Sequence, residues 1–234
     1  MQIDLNFMLT TLLLSLKAVP VTLGITIISL LAAVPLGFFM ALCNIYRIRG
    51  LRQISTLYIS FMRGTPIVLQ ILIVYSLVPS LLNGLIIHMG LSINIFNLNP
   101  IVYACLVFTL NNGALLAELF RSGLLAVDKG QHEAALSAGL SPVQSYFRIL
   151  IPQALVSSLP NICNLTINLI KNTSLAFLMS VKDITATAKI AASYGYNYVE
   201  AYLDIFVIYG VICGLTQFLF IKIERRFIRK MHAT

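Results

Sequence analysis

The sequence predicts an all-α integral membrane protein of one domain, residues 1–234, with about five transmembrane helices. Of its 234 residues, 59% are hydrophobic and only 10% are charged, whereas a soluble domain carries roughly 25% charged residues. Several apolar runs reach the roughly 20 residues that a helix needs to cross the hydrocarbon core. All four cysteines fall inside apolar runs without paired spacing, which indicates small buried hydrophobes.

The spans follow from the apolar runs. Residues 5–16 are too short to span and are interrupted by Lys17 and Pro20, so we expect an interfacial N-terminal helix. Residues 171–198 mix polar and apolar side chains and are interpreted as a loop. Five longer runs predict spans at about residues 19–43, 55–82, 101–120, 149–170 and 202–223.

Two pairs of residues in or next to these spans predict helix contacts. Glu118 and Arg121 lie three residues apart, a spacing that favours an ion pair within one helix. Gly210 and Gly214 form a GxxxG pattern, which is typical of close packing against another helix.

Loop charge predicts the orientation. Of the 16 Lys and Arg residues, eleven fall in one set of loops and four in the other, while Arg63 lies within a predicted span. The positive-inside rule places the richer set in the cytoplasm, so we expect the N-terminus outside and the C-terminus inside. Loop cations also explain the net charge of +8 without a nucleic-acid partner. The richer set is Arg47, Arg49, Arg52, Arg121, Lys129, Arg148, Lys222, Arg225, Arg226, Arg229 and Lys230.

The cytoplasmic loop of about residues 121–148 predicts two short helices. Asp128 is suited to the N-cap of the first, with Gln131 three residues later as in an approximate capping box. Gly139 is suited to the left-handed position just past its end. Ser141 and Pro142 are suited to the N-cap and first position of the second helix.

The same loop reads Glu133-Ala134-Ala135, then Gly139 six residues after the Glu, then Ile149, Ile151 and Pro152. This pattern resembles the "EAA" loop of the membrane subunits of bacterial ABC importers, although Ile151 stands where the family usually has Leu. The alternative is an ordinary cytoplasmic helical hairpin. The resemblance implies a type I ABC importer permease fold and a coupling helix that contacts an ATPase, with that role carried by Glu133, Ala134, Ala135 and Gly139.

Two further stretches resemble the polar amino-acid subfamily of these permeases. The first is residues 63–66, Arg-Gly-Thr-Pro, followed by Gln70 in an apolar run. An ionisable residue inside a span predicts function by default, although Arg63 could instead reach the cytoplasmic interface. The second is residues 171–175, Lys-Asn-Thr-Ser-Leu, after the fourth span. Residues 182–202 resemble cystine-type members.

We expect a polar substrate cavity near the middle of the bilayer. An amino acid needs N–H donors or a cation for its carboxylate and oxygen acceptors for its ammonium. No acid lies in the middle of a span, which favours a neutral polar substrate over arginine or lysine. Buried amides also hold helices together, so a structural role for each asparagine is the alternative. The predicted substrate-binding residues are Arg63, Gly64, Thr65, Gln70, Asn111, Asn112, Asn164, Asn168, Asn172 and Ser174.

The chain carries no Gly-x-x-x-x-Gly-Lys-Ser/Thr motif and no metal spacing among His88, His132 and His232, so we expect neither an enzyme nor a cofactor in this chain. The resemblance implies that ATP and Mg are bound by a dimer of cytoplasmic ABC ATPase subunits. It also implies a second permease subunit, identical or closely related, an extracytoplasmic solute-binding protein, and the lipid of the bacterial cytoplasmic membrane.

Two alternatives come from other functional classes. An ion-coupled secondary transporter needs carboxylates near the bilayer midplane and usually has inverted repeats, and neither is evident in the sequence. A non-transporting membrane scaffold remains the other alternative, although the polar fourth span argues against it.

Overall fold

The computed structural model describes residues 3–89 and 95–231, and within these ranges all regular structure is helical, which confirms the all-α class. His232 lies outside the described residues. Short 3-10 helices occur at Ile95–Asn97 and Ser174–Met179, and one π-helical turn occurs at Tyr146–Leu150. The α-helices are α1 (Leu5–Leu16), α2 (Val19–Ile45), α3 (Leu51–Gly64), α4 (Ile67–His88), α5 (Pro100–Ala126), α6 (Lys129–Ser137), α7 (Pro142–Ser145), α8 (Ile151–Thr173), α9 (Ile184–Ser193) and α10 (Tyr198–Met231).

The predicted spans correspond to α2, α4, α5, α8 and α10. Within the described residues, four stretches are long and apolar enough to cross a membrane: α1 with α2, α4, α5, and most of α10. The 23 residues of α8 would extend about 35 Å, which is also long enough. Its many polar side chains explain why α8 is not among the four, in keeping with the polar fourth span expected from the sequence.

The prediction of one span over residues 55–82 is wrong, because the chain breaks at Thr65 and Pro66. Thr65 is extended, with φ −114° and ψ 142°, as expected for a residue that precedes a proline. The apolar run therefore belongs to two helices, α3 and α4. The loop predicted at residues 171–198 is also wrong. The helical path continues from α8 through Met179, and α9 occupies residues 184–193.

The ordering of that segment depends on a buried acid that the sequence interpretation did not single out. Asp183 is fully buried and caps α9, its Oδ1 accepting a hydrogen bond from the Ala186 N–H at 2.8 Å. The Tyr209 hydroxyl of α10 donates to Asp183 Oδ2 at 3.3 Å. A capped and paired carboxylate at the start of α9 thus joins it to α10.

Helices α2 and α5 approach each other closely. A Cβ on Gly37 would lie 2.8 Å from Leu116 Cβ and 2.9 Å from the Gly113 carbonyl oxygen. The backbones approach this closely because residue 37 has no side chain. A Cβ on Gly210 or Gly214, by contrast, would meet no described atom of another element within 4 Å, so the described residues do not make the close packing predicted for the GxxxG pattern. The central position belongs to α5, which packs against α2, α3, α4 and α8.

Candidate functional site

The break between α3 and α4 is closed by one buried amide. Gln70, only 7% exposed, donates from Nε2 to the Met62 carbonyl at 2.9 Å and to the Thr65 carbonyl and hydroxyl at 3.2 and 2.8 Å. The last carbonyls of a helix have no intrahelical donor, and the hydrocarbon core offers no water to replace one. Gln70 therefore supplies the donor that the break requires.

Asn111 of α5 completes this arrangement. Its Nδ2 donates to Gln70 Oε1 at 2.9 Å, across 41 positions of sequence. The structure thus brings Thr65, Gln70 and Asn111 together, as predicted, but their amide and hydroxyl groups bond to one another and to the backbone. Asn112, 2% exposed, instead donates to the Phe108 carbonyl of its own helix.

Arg63 and Gly64 lie on the exposed side of the break. Arg63 lines a polar cavity of about 300 Å³ between α3 and α5, which also contains Arg52, Glu118 and Arg121. Glu118 accepts two hydrogen bonds from Arg121, one of them from Nε at 3.1 Å, which confirms the predicted ion pair. Three guanidinium groups against one carboxylate leave the cavity with a positive excess that suits an anionic group.

Sequence reasoning did not place Glu118 or Arg121 in the site. Two ionisable side chains one turn apart inside a span could have indicated it, because such residues commonly face a cavity rather than lipid. The structural interpretation of Glu118 as a partner of Arg121 is confirmed, yet the pair also forms one wall of the cavity beside Arg63.

The asparagines of α8 form an exposed polar face. Asn161, Asn164 and Asn168 are spaced by three and four residues and are all exposed. Asn172 and Ser174 continue it at the end of the helix and are half-buried. No hydrogen bond among the described residues joins this face to Gln70 or Asn111. The predicted substrate residues therefore divide into a buried group around Gln70 and Asn111 and an exposed or half-buried group on α8.

The predicted hairpin of α6 and α7 has its expected caps. Asp128 Oδ1 accepts from the Gly130 N–H at 2.6 Å. Gly139 has φ +84° and donates to the Leu136 carbonyl at 3.0 Å, while the Leu140 N–H reaches the Ala135 carbonyl at 3.1 Å. These two bonds form a Schellman motif.

The second helix of the hairpin begins with a complete capping box. Ser141 Oγ accepts from the Gln144 N–H, Gln144 Oε1 accepts from the Ser141 N–H, and Pro142 lies in the first turn. Gln131 does not close the corresponding box with Asp128; its Oε1 accepts from Gln153 Nε2 at 3.4 Å. That bond ties α6 to the first turn of α8.

The predicted coupling residues divide into an outer and an inner set. Glu133, Ala134 and Gly139 are exposed, whereas Ala135 is 4% exposed and faces the rest of the chain. Val143 of the hairpin and Phe147 of the π-helical turn that follows it have 66% and 64% of their surface exposed. The hairpin thus presents a mixed apolar and acidic surface outward.

A chain of side-chain contacts joins the hairpin to the end of α2. His132 Nδ1 lies 2.8 Å from Ser145 Oγ, and its ring packs against that of Tyr146 with centroids 5.6 Å apart. The Tyr146 ring lies 6.0 Å from that of Tyr46, the residue that caps α2. Burial and contact with Tyr146 raise the pKa of Tyr46 to about 12. The sequence treated His132 as isolated, since no spacing reveals partners 13 positions away.

The π-helical turn before α8 has a local cause in Pro152. An α-helix would pair the Arg148 carbonyl with the N–H of residue 152, which proline lacks, and the ring would crowd that carbonyl. The turn widens instead, and the Ile151 N–H donates to the Tyr146 carbonyl. Such turns occur often at functional sites, and this one lies between the hairpin and the polar helix.

We expect Gln70→Leu to destabilise the chain by about 2–5 kcal/mol, because it leaves the break carbonyls and the Asn111 amide buried without partners. Thr216→Val is the matched control. Its hydroxyl bonds only to the Ile212 carbonyl of its own helix, and its loss should change stability by about 0.5 kcal/mol or less. The midpoint of thermal aggregation in detergent measures both. Equal midpoints for the two variants would refute the role assigned to Gln70.

Comparison with known proteins gives a consistent result. Residues 33–229 match the family described as "binding-protein-dependent transport system inner membrane component". The L-cystine transport system permease protein TcyL of Bacillus subtilis is 40% identical over 88% of this chain and 84% of its own length.

Two solved structures share the architecture. An amino acid ABC transporter crystallised with histidines superposes with a TM-score of 0.80 at 29% identity, over 97% of this chain and all of the other. The inward-facing MetNI methionine ABC transporter gives 0.69 at 17% identity over 96% and 99%, a likeness of fold alone. The type I importer permease fold expected from the EAA loop is confirmed. The chain therefore belongs to the family of binding-protein-dependent transport system inner membrane components, the non-enzymatic permease subunits of ABC transporters.

Proposed function

We propose that this chain forms the membrane path of an ATP-driven importer for a polar, neutral L-amino acid, with cystine as the leading substrate. The observation that carries the proposal is the exposed face of Asn161, Asn164 and Asn168 on α8. An amide facing hydrocarbon without a partner costs several kcal/mol. The face is therefore covered in the working protein, either by water or by another polar surface.

A second permease subunit provides that cover. Two copies that meet with their α8 faces opposed would enclose a polar path and keep the amides away from lipid. The half-buried Asn172 and Ser174 extend the path along the same helix. Cystine-type transport is supported by the 40% identity with the cystine permease, since both chains are matched over most of their lengths.

The chemistry of the polar surfaces fits a neutral amino acid. Arg63 and the positive excess around it suit the α-carboxylate, and the asparagine oxygens of α8 suit the ammonium. Glu118 is already paired with Arg121, so this cavity offers no free carboxylate to a cationic side chain. We infer that lysine and arginine are poor substrates.

We expect Asn168→Leu to lower uptake at least about tenfold through loss of polar contacts in the path, with unchanged amounts of protein in the membrane. Thr10→Val is the control, because that exposed hydroxyl bonds only to the Asn6 carbonyl. Uptake of labelled cystine by vesicles, with a panel of L-amino acids as competitors, measures both. Strongest competition by lysine or arginine would refute the neutral substrate, and no competition by any amino acid would refute the site.

Energy enters through the hairpin of α6 and α7. The chain lacks the P-loop motif, so ATP and Mg are bound by partner ATPase subunits, and the hairpin is their docking element. Glu133, Ala134 and Gly139 form its exposed surface. Caps at both helix starts and the left-handed Gly139 make the hairpin stiff, and a stiff element transmits rigid-body motion.

We expect Gly139→Pro to abolish uptake while the chain still inserts, because proline cannot adopt φ +84° and lacks the N–H that bonds to Leu136. Gly139→Asn is the matched control, since asparagine retains the N–H and tolerates the left-handed region. Uptake and co-purification of the ATPase subunit are measured together. Normal ATP-driven uptake by Gly139→Pro would contradict the docking role, and uptake without any ATPase subunit would favour a secondary transporter.

The orientation proposed from loop charge is supported by one structural contact. The Tyr46 and Tyr146 rings lie 6.0 Å apart, so the basic loop after α2 and the hairpin lie on the same side of the helices. With that side cytoplasmic, the N-terminus is outside and the C-terminus inside. The 3-10 turn at residues 95–97 then faces the solute-binding protein.

Cysteine labelling tests this orientation. We expect Asn97→Cys to react with a membrane-impermeant thiol reagent in intact cells and Arg49→Cys to react only after the cells are broken. Both native side chains are exposed, so access to reagent differs only by side of the membrane. Labelling of Arg49→Cys from outside would invert the topology and remove the docking assignment with it.

A further inference from the structure

The last turns of α10 carry a one-sided basic surface, which we call the α10 basic face: Lys222, Arg225, Arg226 and Arg229. Their spacing of three and four residues places them on one side of the helix. All four are exposed, and none joins an ion pair within the described residues. Glu224 lies about 200° around the helix from Lys222, on the opposite side, so it does not neutralise them.

The same side of α10 is apolar nearer its middle. Leu215, Phe218 and Leu219 are 65%, 67% and 55% exposed, and helical spacing aligns them with the basic face. The 34 residues of α10 extend about 51 Å, well beyond a hydrocarbon core of about 30 Å. One continuous surface therefore passes from hydrocarbon depth to headgroup depth as it changes from apolar to cationic.

We propose that the α10 basic face binds the phosphate of an anionic phospholipid, whose acyl chain lies along Leu215 and Phe218. The site is a cavity of about 390 Å³ lined by Phe218, Ile221 and the four cations. A guanidinium group can bind two phosphate oxygens at once, and Arg225 and Arg226 offer two such groups at adjacent positions. The placement in the inner leaflet rests on the orientation proposed above, but the recognition chemistry does not.

The charge count indicates the kind of headgroup. The four cations extend over eight residues, about 10 Å along the axis, and exceed the single charge of one phosphodiester. A lipid with two phosphodiesters, such as diphosphatidylglycerol, matches the site better than phosphatidylglycerol. A free phosphate would satisfy the cations but leave Phe218 without a role, and an acidic soluble protein would not reach the apolar half.

The chain contains no tryptophan, which allows a direct test. Phe218→Trp places the only indole of the full chain beside the cavity, and the protein is reconstituted in phosphatidylcholine vesicles. Bromine-labelled lipid then quenches the indole on contact. We expect labelled diphosphatidylglycerol to reach half-quenching at a mole fraction roughly tenfold below that of labelled phosphatidylcholine, with phosphatidylglycerol between them. Phe206→Trp is the matched control: this position on α10 is 76% exposed, four turns from Lys222, and should show no preference.

Charge variants test whether the lipid preference comes from this site or from general attraction of cations to an anionic membrane surface. In the Phe218→Trp chain, Arg225→Gln with Arg226→Gln should remove the preference, whereas Arg47→Gln with Arg49→Gln, which removes two cations elsewhere, should retain it. The same charge changes made in the separate Phe206→Trp chain verify that each variant inserts. Equal quenching by all lipids would overturn the proposal. Loss of the preference on adding inorganic phosphate would also overturn it, because that result indicates a site for a soluble anion. If the Arg225/Arg226 variant keeps the lipid preference and loses only ATPase binding, the basic face is a protein contact and the proposal is again overturned.

Discussion

Hydrogen-bond satisfaction within the bilayer is the constraint on which the rest of this structure depends. Pro66 forces α3 to end inside an apolar run, and the ended helix exposes carbonyls that hydrocarbon cannot solvate. Gln70 donates hydrogen bonds to these carbonyls, and Asn111 holds Gln70 in place. Because Asn111 belongs to α5, the bend between α3 and α4 is fixed to the central helix. The close approach at Gly37 then fixes α2 to the same helix. These contacts join α2, α3, α4 and α5 into one unit, here called the frame.

The hairpin is joined to this frame and to α8 by different kinds of connection. Through His132, Tyr146 and Tyr46 it contacts the end of α2 by ring packing, with centroids 5.6 and 6.0 Å apart. To α8 it is joined by continuous backbone that passes through the π turn forced by Pro152. Packed rings can shift against each other, whereas a continuous helical backbone transmits a rotation of one end to the other. A displacement of the hairpin by a bound partner would therefore move α8 more directly than it moves α2.

Features determined by residues close together in the chain were predictable from the sequence, and features that depend on residues far apart in the chain were not. Asp128, Gly139 and Ser141 follow from cap chemistry, which involves neighbours within a few residues. The bond between Gln70 and Asn111, 41 positions apart, could only be predicted as proximity and not as a structural role. The division of residues 55–82 into two helices was missed because hydropathy continues across Pro66. The GxxxG pattern at Gly210 gave a wrong prediction for a related reason. The spacing shows that the two glycines share one face of the helix, but it does not show which surface covers that face.

One helix, α8, combines a buried structural side with an exposed polar face, the face proposed above to line the substrate path. Its buried side includes Ile170 and Cys163, which attach it to the rest of the chain, while its amides point outward. Pro160 adds to that exposed side, because it lacks the N–H that would pair with the Val156 carbonyl four residues earlier. Amides and a carbonyl bind without a net charge of their own, so a ligand held there is released at a lower cost than one held by a buried ion pair. Such moderate binding is what a membrane path requires, since each bound ligand must also leave.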